Sequence, residues 1–393
     1  MNGEPSDVSV PSPSEVRERL EQALFEIRRV IAGQDSMLER VLVCLLAHGH
    51  LLIEGVPGLA KTLTIKTTAG VLGGTFSRIQ FTPDLVPSDL VGTRVYRPGQ
   101  GEFDTELGPV FCNFLLADEI NRAPAKVQSA LLEVMQEHQV TIGHETHPVP
   151  DPFLVMATQN PIESEGTYPL PEAQVDRFLL KIVIGYPSHD EELTIVQRQL
   201  VPHPDLRQVL TLDDLRGLQA AAAAVYVDPA LISYAVELAT ATRSPARYSL
   251  VDISDYIAYG ASPRGPIAVV QAARALALLR GRDYAVELAT ATRTPASYGL
   301  VELGDYIAFG ASPRGPIAVV QAARALALLR GRDYAVVEDV QALARDAFRH
   351  RLVLTYQALA EEIDSERILD DVLAAVAVPQ VDLARTSAAT SAA

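Results

Sequence analysis

Cysteine is nearly absent from this 393-residue chain, and its scarcity limits the chemistry that the protein can perform. Cys44 and Cys112 are its two cysteines, and each lies inside an apolar stretch without a CxxC neighbour. This pattern argues against a disulfide framework, a cysteine metal site and a thiol redox centre. We expect both side chains to be buried free thiols.

Long apolar runs are also lacking, since none approaches the roughly 18 residues that a membrane-crossing helix needs. The N-terminal stretch "MNGEPSDVSVPSPSE" has neither the basic start nor the apolar core of a secretory signal. Its serine, proline and acidic residues predict a disordered tail over residues 1–13. With 48% apolar residues and a mean hydropathy of +0.13, the remainder predicts a globular protein without a membrane span, which we expect in the cytoplasm.

Basic residues are in the minority, because 33 Lys and Arg face 49 Asp and Glu, for a formal net charge of -16. Binding to a phosphate backbone depends on clustered cations, so this balance disfavours a nucleic-acid partner, although local basic patches remain compatible with it. Four of the basic residues are lysines: Lys61, Lys66, Lys126 and Lys181. A lysine inside a loop motif is therefore informative in this chain.

The chain divides into a strand-rich part and a helix-rich part near Pro187. "SEVRERLEQALFEIRRVIAG" predicts an amphipathic helix with Ser14 as N-cap and Gly33 as its stop, and "QDSMLERVLVCLLAHG" predicts a second helix. Five short apolar runs then alternate with helical patterns, which indicates a parallel sheet flanked by helices. They are "HLLIEG", "TFSRIQF", "FCNFLLADE", "FLVMATQN" and "RFLLKIVIG". After Pro187 we expect Ala- and Leu-rich helices and no further strands. The predicted domains are an α/β core over 14–186, a helical domain over 187–380 and a flexible tail over 381–393.

A tandem duplication interrupts the helical part. Residues 234–283 and 284–333 align without a gap and are identical at 43 of 50 positions. The differing pairs are Ser244/Thr294, Arg247/Ser297, Ser249/Gly299, Asp252/Glu302, Ile253/Leu303, Ser254/Gly304 and Tyr259/Phe309. Solenoids need at least three stacked units, so two nearly identical copies indicate a recent duplication in which one copy is redundant.

The stretch "GVPGLAKT", directly after "HLLIEG", has the pattern of a phosphate-binding loop. In such a loop backbone N–H groups wrap the phosphates, the lysine reaches the β and γ phosphates, and the Ser or Thr hydroxyl binds magnesium. Ala60 stands where a third glycine is common, but the chain is entering a helix there, which suits alanine. An accidental turn before a helix is the alternative. The candidate nucleotide-binding residues are Gly55, Val56, Pro57, Gly58, Leu59, Ala60, Lys61, Thr62 and Leu63, and Thr62 is also a candidate magnesium ligand.

Two later strand ends supply groups that nucleotide hydrolysis needs. "FCNFLLADE" ends in Asp118, which would hold magnesium through water, and Glu119, which would orient and deprotonate the attacking water. "FLVMATQNP" contains Asn160, which is suited to positioning the same water. Two acids at a strand end can also form an ordinary surface turn, and an Asn before a Pro is a common turn former. The preceding loop motif favours the catalytic interpretation.

With these elements in place, the chain resembles the AAA+ ATPases, and within them the MoxR family. The motifs that support the resemblance are "GVPGLAKT", "FLLADEINRAP", "LLEVMQEHQVTI", "ATQNPIE", "LPEAQVDRF" and "GASPRG". The resemblance implies a core with a five-stranded parallel sheet, a helical lid over the nucleotide, and cleavage of ATP with Mg2+ between neighbours in a homo-oligomeric ring, usually of six. Lys61 and Thr62 then match Walker A, Asp118 and Glu119 match Walker B, and Asn160 matches sensor one.

The same resemblance assigns roles to arginines. Arg177 in "EAQVDRF" looks like the arginine finger that one subunit presents to the γ phosphate bound by its neighbour. The alternative is a local salt bridge to Glu172 or Asp176, which would contribute only tenths of a kcal/mol. Arg122 in "INRAP" is a second candidate for contact in trans.

The lid arginine and the adenine contact are further predictions from the resemblance. Sensor two, the arginine of "GASPRGPIAVVQAARAL", occurs twice, as Arg264 and Arg314. Only one of them can contact the γ phosphate in cis, and the shorter tether from residue 187 favours Arg264. Gln34, beside Gly33 in "IAGQDSMLERVL", matches a stretch that packs against the adenine, unless Gly33 merely caps a helix.

Two further segments predict hairpins, "LVGTRVYRPGQGEFDTELGPVF" and "VTIGHETHPVP". They resemble the helix-two insert and the pre-sensor hairpin, which face the central pore in this branch of AAA+ proteins. The resemblance thus implies an ATP-hydrolysing remodelling protein that couples γ-phosphate loss to lid and hairpin movement. The resemblance also implies a partner protein with a von Willebrand A domain, and a role in maturation, metal insertion or complex assembly.

Two other functions are compatible with the same motifs. A nucleic-acid-directed AAA+ motor would need cationic hairpins, whereas "VTIGHETHPVP" has no cation apart from histidines. A nucleotide-gated scaffold would bind ATP with little turnover, because the doubled lid blocks closure.

Overall fold

The computed structural model describes most of the α/β core and several segments of the C-terminal part. The described residues are 13–31, 34–55, 61–98, 102–160, 167–199, 205–225, 229–248, 252–259, 304–309, 337–376 and 378. The helices are α1 Pro13–Val30, α2 Asp35–Leu46, α3 Lys61–Val71, α4 Pro87–Val91, α5 Ala125–Glu137, α6 Glu172–Val175, α7 His189–Gln199, α8 Leu212–Ala224, α9 Pro229–Arg243, α10 Val337–Phe348, α11 Tyr356–Ala360 and α12 Ser365–Ala375. The strands are β1 Leu51–Gly55, β2 Phe76–Gln80, β3 Gly92–Arg97, β4 Glu102–Leu107, β5 Phe114–Asp118, β6 Gln139–Ile142, β7 Glu145–Pro148, β8 Leu154–Gln159, β9 Leu180–Ile184, β10 Asp252–Tyr259 and β11 Gly304–Phe309.

Five strands form one parallel sheet, in the order β2-β5-β8-β1-β9. They arise from the five apolar runs, so the predicted five-stranded α/β core is confirmed. Strand residues alternate between two buried clusters: Leu51 and Leu116 belong to one, whereas Leu52 and Leu115 belong to the other. The three inner strands β5, β8 and β1 are continuous apolar runs because both of their faces are covered, whereas the edge strands β2 and β9 are only partly buried.

The two N-terminal helices form as predicted, with one difference at the first boundary. α1 begins at Pro13, so Ser14 lies inside the helix and its predicted role as N-cap is wrong. Helix ends shift by a residue or two with small changes in the first turn, and proline suits the start of a helix. Gly33, the predicted stop, lies outside the described residues, and α1 ends at Val30.

Two strands lie beyond Pro187, where only helices were expected. β10 and β11 come from equivalent parts of the two copies and pair in parallel, with several shifts of register. The expectation that strands end at Pro187 is therefore wrong. Ile253, Tyr256 and Ile257 are β-branched or aromatic, and this local preference for strand outweighs the helical character of the surrounding sequence.

The two cysteines are buried free thiols, as predicted. Burial raises the pKa of Cys44 well above its ordinary value and that of Cys112 to about 12. Within the part of the chain that the structure describes, none of the helices has both the length and the apolar character needed to cross a bilayer.

His50 is a buried histidine directly before β1, and the backbone holds it in its neutral form. Its Nδ1 accepts a hydrogen bond from the Val155 N–H at 3.0 Å, and Nε2 faces the Met135 carbonyl oxygen at 3.1 Å as donor. Burial lowers the pKa of His50 to about 4. An imidazole that accepts an N–H in this way cannot take up a proton without losing that bond.

We expect His50 to destabilise the fold in mild acid. Below the ordinary pKa of 6.5 the unfolded chain takes up a proton that native His50 resists, so stability present above that pH is lost as pH falls towards about 4. By about pH 5 the loss should reach about 2 kcal/mol. Urea unfolding of wild type and His50→Gln from about pH 8 to about pH 5 measures this loss of unfolding free energy. Glutamine is the matched variant because it retains a donor and an acceptor without titrating. Parallel pH profiles for the two proteins would contradict the expectation.

Candidate active site

Three neighbouring strands of the sheet end at one edge, where the predicted motifs lie. β1 ends at Gly55, β5 at Asp118 and β8 at Gln159, and β8 lies between the other two. After β1 the chain crosses to the far strand β2, whereas after β8 it crosses to β9 on the other side of β1. In α/β sheets ligands bind outside the carboxyl ends of the strands, at the point where the order reverses. The fold therefore places the candidate residues where a ligand is expected.

Lys61 opens α3 immediately after the predicted phosphate loop. Its Nζ donates a hydrogen bond to the Gly55 carbonyl oxygen at 2.7 Å, which folds the side chain back over the end of β1. Burial lowers the pKa of Lys61, while the charges of Asp118 and Glu119 act in the opposite direction. Thr62 and Leu63 follow in the first turn of α3, and residues 56–60 lie outside the described residues. A lysine between a helix N-terminus and two carboxylates is suited to a phosphate group.

Thr158 connects the two acids to the neighbouring strand. Its hydroxyl donates to Asp118 Oδ1 at 2.6 Å and accepts from the backbone N–H of Glu119 at 2.9 Å. Arg78 donates to the other carboxylate oxygen, Asp118 Oδ2, at 2.7 Å. Thr158 is buried, so this small network orders the end of β5 against β8.

Glu119 follows β5 in a left-handed backbone conformation, with φ 56° and ψ 50°. Non-glycine residues seldom adopt this conformation, and it turns the chain sharply at the end of the strand. The Glu119 carboxylate accepts from Gln80 Nε2 at 2.7 Å and pairs with Arg122 Nε at 3.1 Å. Arg122, a candidate for contact in trans, is thus engaged within its own chain. An ionised carboxylate at this edge is able to accept a proton from water.

The remaining candidates differ in how far the structure defines them. Asn160 directly follows β8 and is buried, with 9% of its surface exposed. Gln34 precedes α2 in a left-handed conformation, with φ 59°. Arg264 and Arg314, the two candidate lid arginines, lie outside the described residues.

Arg177 lies in the turn between α6 and β9, and it does not form an ion pair with Asp176, which was the alternative to a role in trans. The Asp176 carboxylate instead accepts from Arg351 Nε at 2.8 Å. Arg177 Nε is buried and has no hydrogen-bond partner in the described part of the structure. The side chain of Glu172, the other alternative partner, is outside the described set. The local salt bridge that would compete with a role in trans is therefore not made with Asp176.

The oxygen donors of Asp118 and Thr62 suit magnesium, which prefers hard oxygen ligands. Asp118 ends β5 and Thr62 lies in the first turn of α3, so both occupy the edge that holds Lys61. When bound there, Mg2+ would supply positive charge to the phosphate oxygens.

Both predicted hairpins form, as the antiparallel pairs β3–β4 and β6–β7. In the first, Arg97 Nη2 pairs with Asp104 at 2.8 Å and with Glu106 at 3.6 Å. Arg94 lies over the ring of Phe103, 5.1 Å from its centroid. The turn of the second hairpin contains Gly143 at φ 67°, a conformation that favours glycine.

Sequence reasoning missed the partners of the acids, Thr158, Gln80 and Arg78. Each lies at or near the end of a strand whose carboxyl edge faces the site. Their polar character at the ends of apolar runs was a usable signal, but only the strand order shows that β2 and β8 flank β5.

Comparisons with known proteins agree with this arrangement. The profile of the AAA family, described as ATPases associated with various cellular activities, matches residues 50–180. The profile of the AAA lid domain matches residues 251–290 and 304–372. The second lid match begins at β11, in the second copy of the duplication, and continues unbroken through α10 and α11 into α12.

Several relatives match along most of their length. Chaperone MoxR1 of Mycobacterium tuberculosis is 53% identical over 92% of this chain and 83% of its own length. YeaC of Bacillus subtilis is 39% identical over 92% of this chain and 95% of its own length. Protein MoxR of Paracoccus denitrificans is 32% identical over 67% of this chain and 83% of its own length. The crystal structure of a candidate ATPase from Cytophaga hutchinsonii superimposes with a TM-score of 0.77 at 39% identity, over 94% of this chain and 97% of that one. The strand order, the site at the carboxyl edge and these relatives together place the chain in the MoxR family of AAA+ ATPases.

Proposed function

We propose that the chain binds ATP with Mg2+ at the carboxyl edge of the sheet and hydrolyses it to ADP and phosphate. The observation that supports this most is the convergence of Lys61, Asp118 and Glu119 at that edge, with Thr158 joining the two acids. Residues 55–63 would cradle the phosphates, and Gln34 would lie beside the adenine. Glu119 would accept the proton of the attacking water, which Asn160 would help to position.

The proposed active site is shared between subunits. Arg177 is not neutralised by Asp176, so its charge is available for a phosphate bound by the neighbouring subunit. We propose a homo-oligomeric ring, of six subunits as in similar AAA+ proteins, with residues 14–186 as core and 187–380 as lid. One of the two lid arginines, Arg264 or Arg314, would contact the γ phosphate from the subunit's own lid.

The proposed cellular role is remodelling of a partner protein in the cytoplasm. One relative is named a chaperone, which supports action on proteins. A client or a von Willebrand A domain protein would meet the two hairpins, the first of which carries Tyr96, Phe103 and Leu107 as exposed apolar side chains. Exposed aromatic and aliphatic groups are suited to contacting polypeptide.

The charges of the first hairpin favour a protein client over a nucleic acid. The hairpin contains two arginines and three acidic residues, and Arg97 is paired with two of these acids, Asp104 and Glu106. Arg94 is stacked on Phe103. A phosphate backbone would have to displace these contacts and would meet net negative charge.

The test is steady-state phosphate release by the purified chain with Mg2+ and ATP, with and without double-stranded DNA. We expect turnover that requires Mg2+ and responds less than about twofold to DNA. Lys61→Ala is the matched inactive variant and should lose nucleotide affinity. Absence of ATP binding would overturn the proposal, and strong stimulation by DNA would favour the nucleic-acid motor.

Removing one copy of the duplication should leave a folded ATPase. Tyr234, the first residue of the first copy, is buried on α9, and its hydroxyl accepts from Gln341 Nε2 on α10 at 3.3 Å. The segments before and after the surplus residues therefore already pack together. We expect deletion of 284–333 to give soluble protein with ATP turnover within about twofold of the full chain.

Deletion of residues 234–283 is the matched control. The two shortened chains differ only at the seven positions that distinguish the copies, and each retains one lid arginine, Arg264 or Arg314. Similar activity of both would show that either arginine can serve. Insoluble or inactive protein from both deletions would contradict redundancy.

A further inference from the structure

A short turn after α10, Arg349–Arg351, reaches from the C-terminal segment into the core and contacts the segment that holds Arg177. We call Arg349–Arg351 the anchor turn and Asp176–Leu179 the finger turn. Arg351 is buried, with 4% of its surface exposed. The two turns are far apart in sequence and in direct contact in the fold.

All five N–H donors of the Arg351 guanidinium are used. Nε donates to Asp176 Oδ1 at 2.8 Å, and Nη2 donates to the carbonyl oxygens of Asp176 at 3.3 Å and Phe178 at 2.8 Å. Nη1 donates to the Leu179 carbonyl oxygen at 3.3 Å and to that of Ala347. A lysine could not reproduce this planar set of donors.

These bonds hold the backbone on both sides of Arg177 and leave its side chain out of the network. Arg351 binds the carbonyl group before Arg177 and the two carbonyl groups after it. It also occupies the Asp176 carboxylate, which would otherwise attract the Arg177 guanidinium. The neighbouring Arg349 donates to the Lys181 carbonyl oxygen at 2.9 Å, which extends the attachment to β9.

The attachment connects the finger turn to the C-terminal segment. Arg349 also pairs with Glu366 at the start of α12 and with Asp346 on α10. Asp346 in turn pairs with Arg40 of α2 at 2.6 Å. Partly buried, hydrogen-bonded ion pairs of this kind define one geometry well, because alternatives leave charges unpaired.

We propose that Arg351 is a positioning residue for Arg177, through which the C-terminal segment of a subunit sets how its finger is presented to the neighbour's nucleotide. This inference rests on the proposed function, in which Arg177 acts in trans. The role is indirect, because Arg351 is buried and fixes the backbone from which Arg177 projects.

A double-mutant cycle with Arg351→Lys and Arg177→Ala tests the proposal. We expect Arg351→Lys to lower kcat by about tenfold, with nucleotide Kd unchanged within about twofold. In the Arg177→Ala background, Arg351→Lys should lower kcat by less than about twofold, because the arginine that Arg351 positions is absent. The proposal would be overturned if Arg351→Lys lowered kcat by the same factor with and without Arg177, or if it weakened nucleotide affinity as much as it lowered kcat. Either result would show a merely structural role.

Two further variants keep the result interpretable. Arg345→Lys changes an exposed arginine of α10 that pairs with Asp370, and it should leave kcat unchanged. If Arg351→Lys does not fold, Arg351→Met combined with Asp176→Leu removes both buried charges together and should show the same dependence on Arg177. If Arg177→Ala itself does not slow hydrolysis, the proposed role of Arg177 in trans fails; if it does but Arg351→Lys has no effect, only this inference fails.

Discussion

Glu119→Gln should lower phosphate release by about a hundredfold or more while ATP still binds. Glutamine has nearly the same shape as glutamate but cannot accept a proton from the attacking water. In the structure Glu119 lies at the end of β5, and Gln80 and Arg122 hold its carboxylate. The predicted loss lies in turnover because Lys61 and Asp118, which would hold the phosphates and the metal, are unchanged.

Glu54→Gln is the matched control for this experiment. Glu54 lies on β1 of the same sheet, where its carboxylate pairs with Lys181 at 2.6 Å and not with the candidate site. We expect its turnover to stay within about threefold of wild type. Equal rates for wild type and Glu119→Gln would defeat the enzymatic proposal and favour a nucleotide-gated scaffold. Nucleotide affinity, measured by equilibrium titration, separates a loss of binding from a loss of chemistry.

The three inner strands of the sheet, β5, β8 and β1, were predictable from sequence because each is an apolar run bounded by turn residues. A strand buried on both faces cannot include many polar positions, as in β5, where Phe114 and Leu115 pack into opposite clusters. The polar residues that end such runs, Asp118 and Asn160, are therefore conspicuous. Sequence patterns suffice wherever burial dictates composition.

Contacts between distant segments were not predictable in this way. Thr158 reaches Asp118 because β8 lies beside β5, and strand order is a property of the whole sheet. Arg351 reaches Asp176 across 175 positions of sequence. In sequence, Arg351 is one more arginine near the end of a helix, and only its burial shows that it has a structural partner.

The strands of the duplicated region were missed for a different reason. β10 contains Ile253 and Tyr256 in a surrounding sequence rich in alanine and leucine, and the longer helical pattern dominated the prediction. Its partner β11 is the equivalent segment of the other copy. Pairing of a segment with its own duplicate depends on the duplication, so no local pattern indicates it.

Arg177→Ala should lower kcat by about 10³-fold or more, the range found for arginine fingers, with little change in ATP affinity. A guanidinium that acts on the γ phosphate stabilises charge that develops as the phosphoryl group transfers, so its loss affects chemistry more than binding. Were Arg177 only a surface ion pair, its removal would change turnover by less than about threefold. Because Asp176 is held by Arg351, the variant does not release a buried acid.

Mixed oligomers decide whether Arg177 acts within its own subunit or on the neighbouring one. Arg177→Ala has an intact phosphate site without a finger, and Lys61→Ala has an intact finger without a phosphate site. If the finger acts in trans, mixing the two inactive proteins should restore a sizeable fraction of turnover, because a Lys61→Ala subunit presents Arg177 to a neighbour with a working site. If Arg177 acts in cis, every subunit in the mixture lacks one of the two groups, and the mixture stays inactive. The same experiment with Arg122→Ala in place of Arg177→Ala tests the second arginine. We expect the mixture to show no turnover above that of the two unmixed proteins, because Arg122 pairs with Glu119 of its own chain.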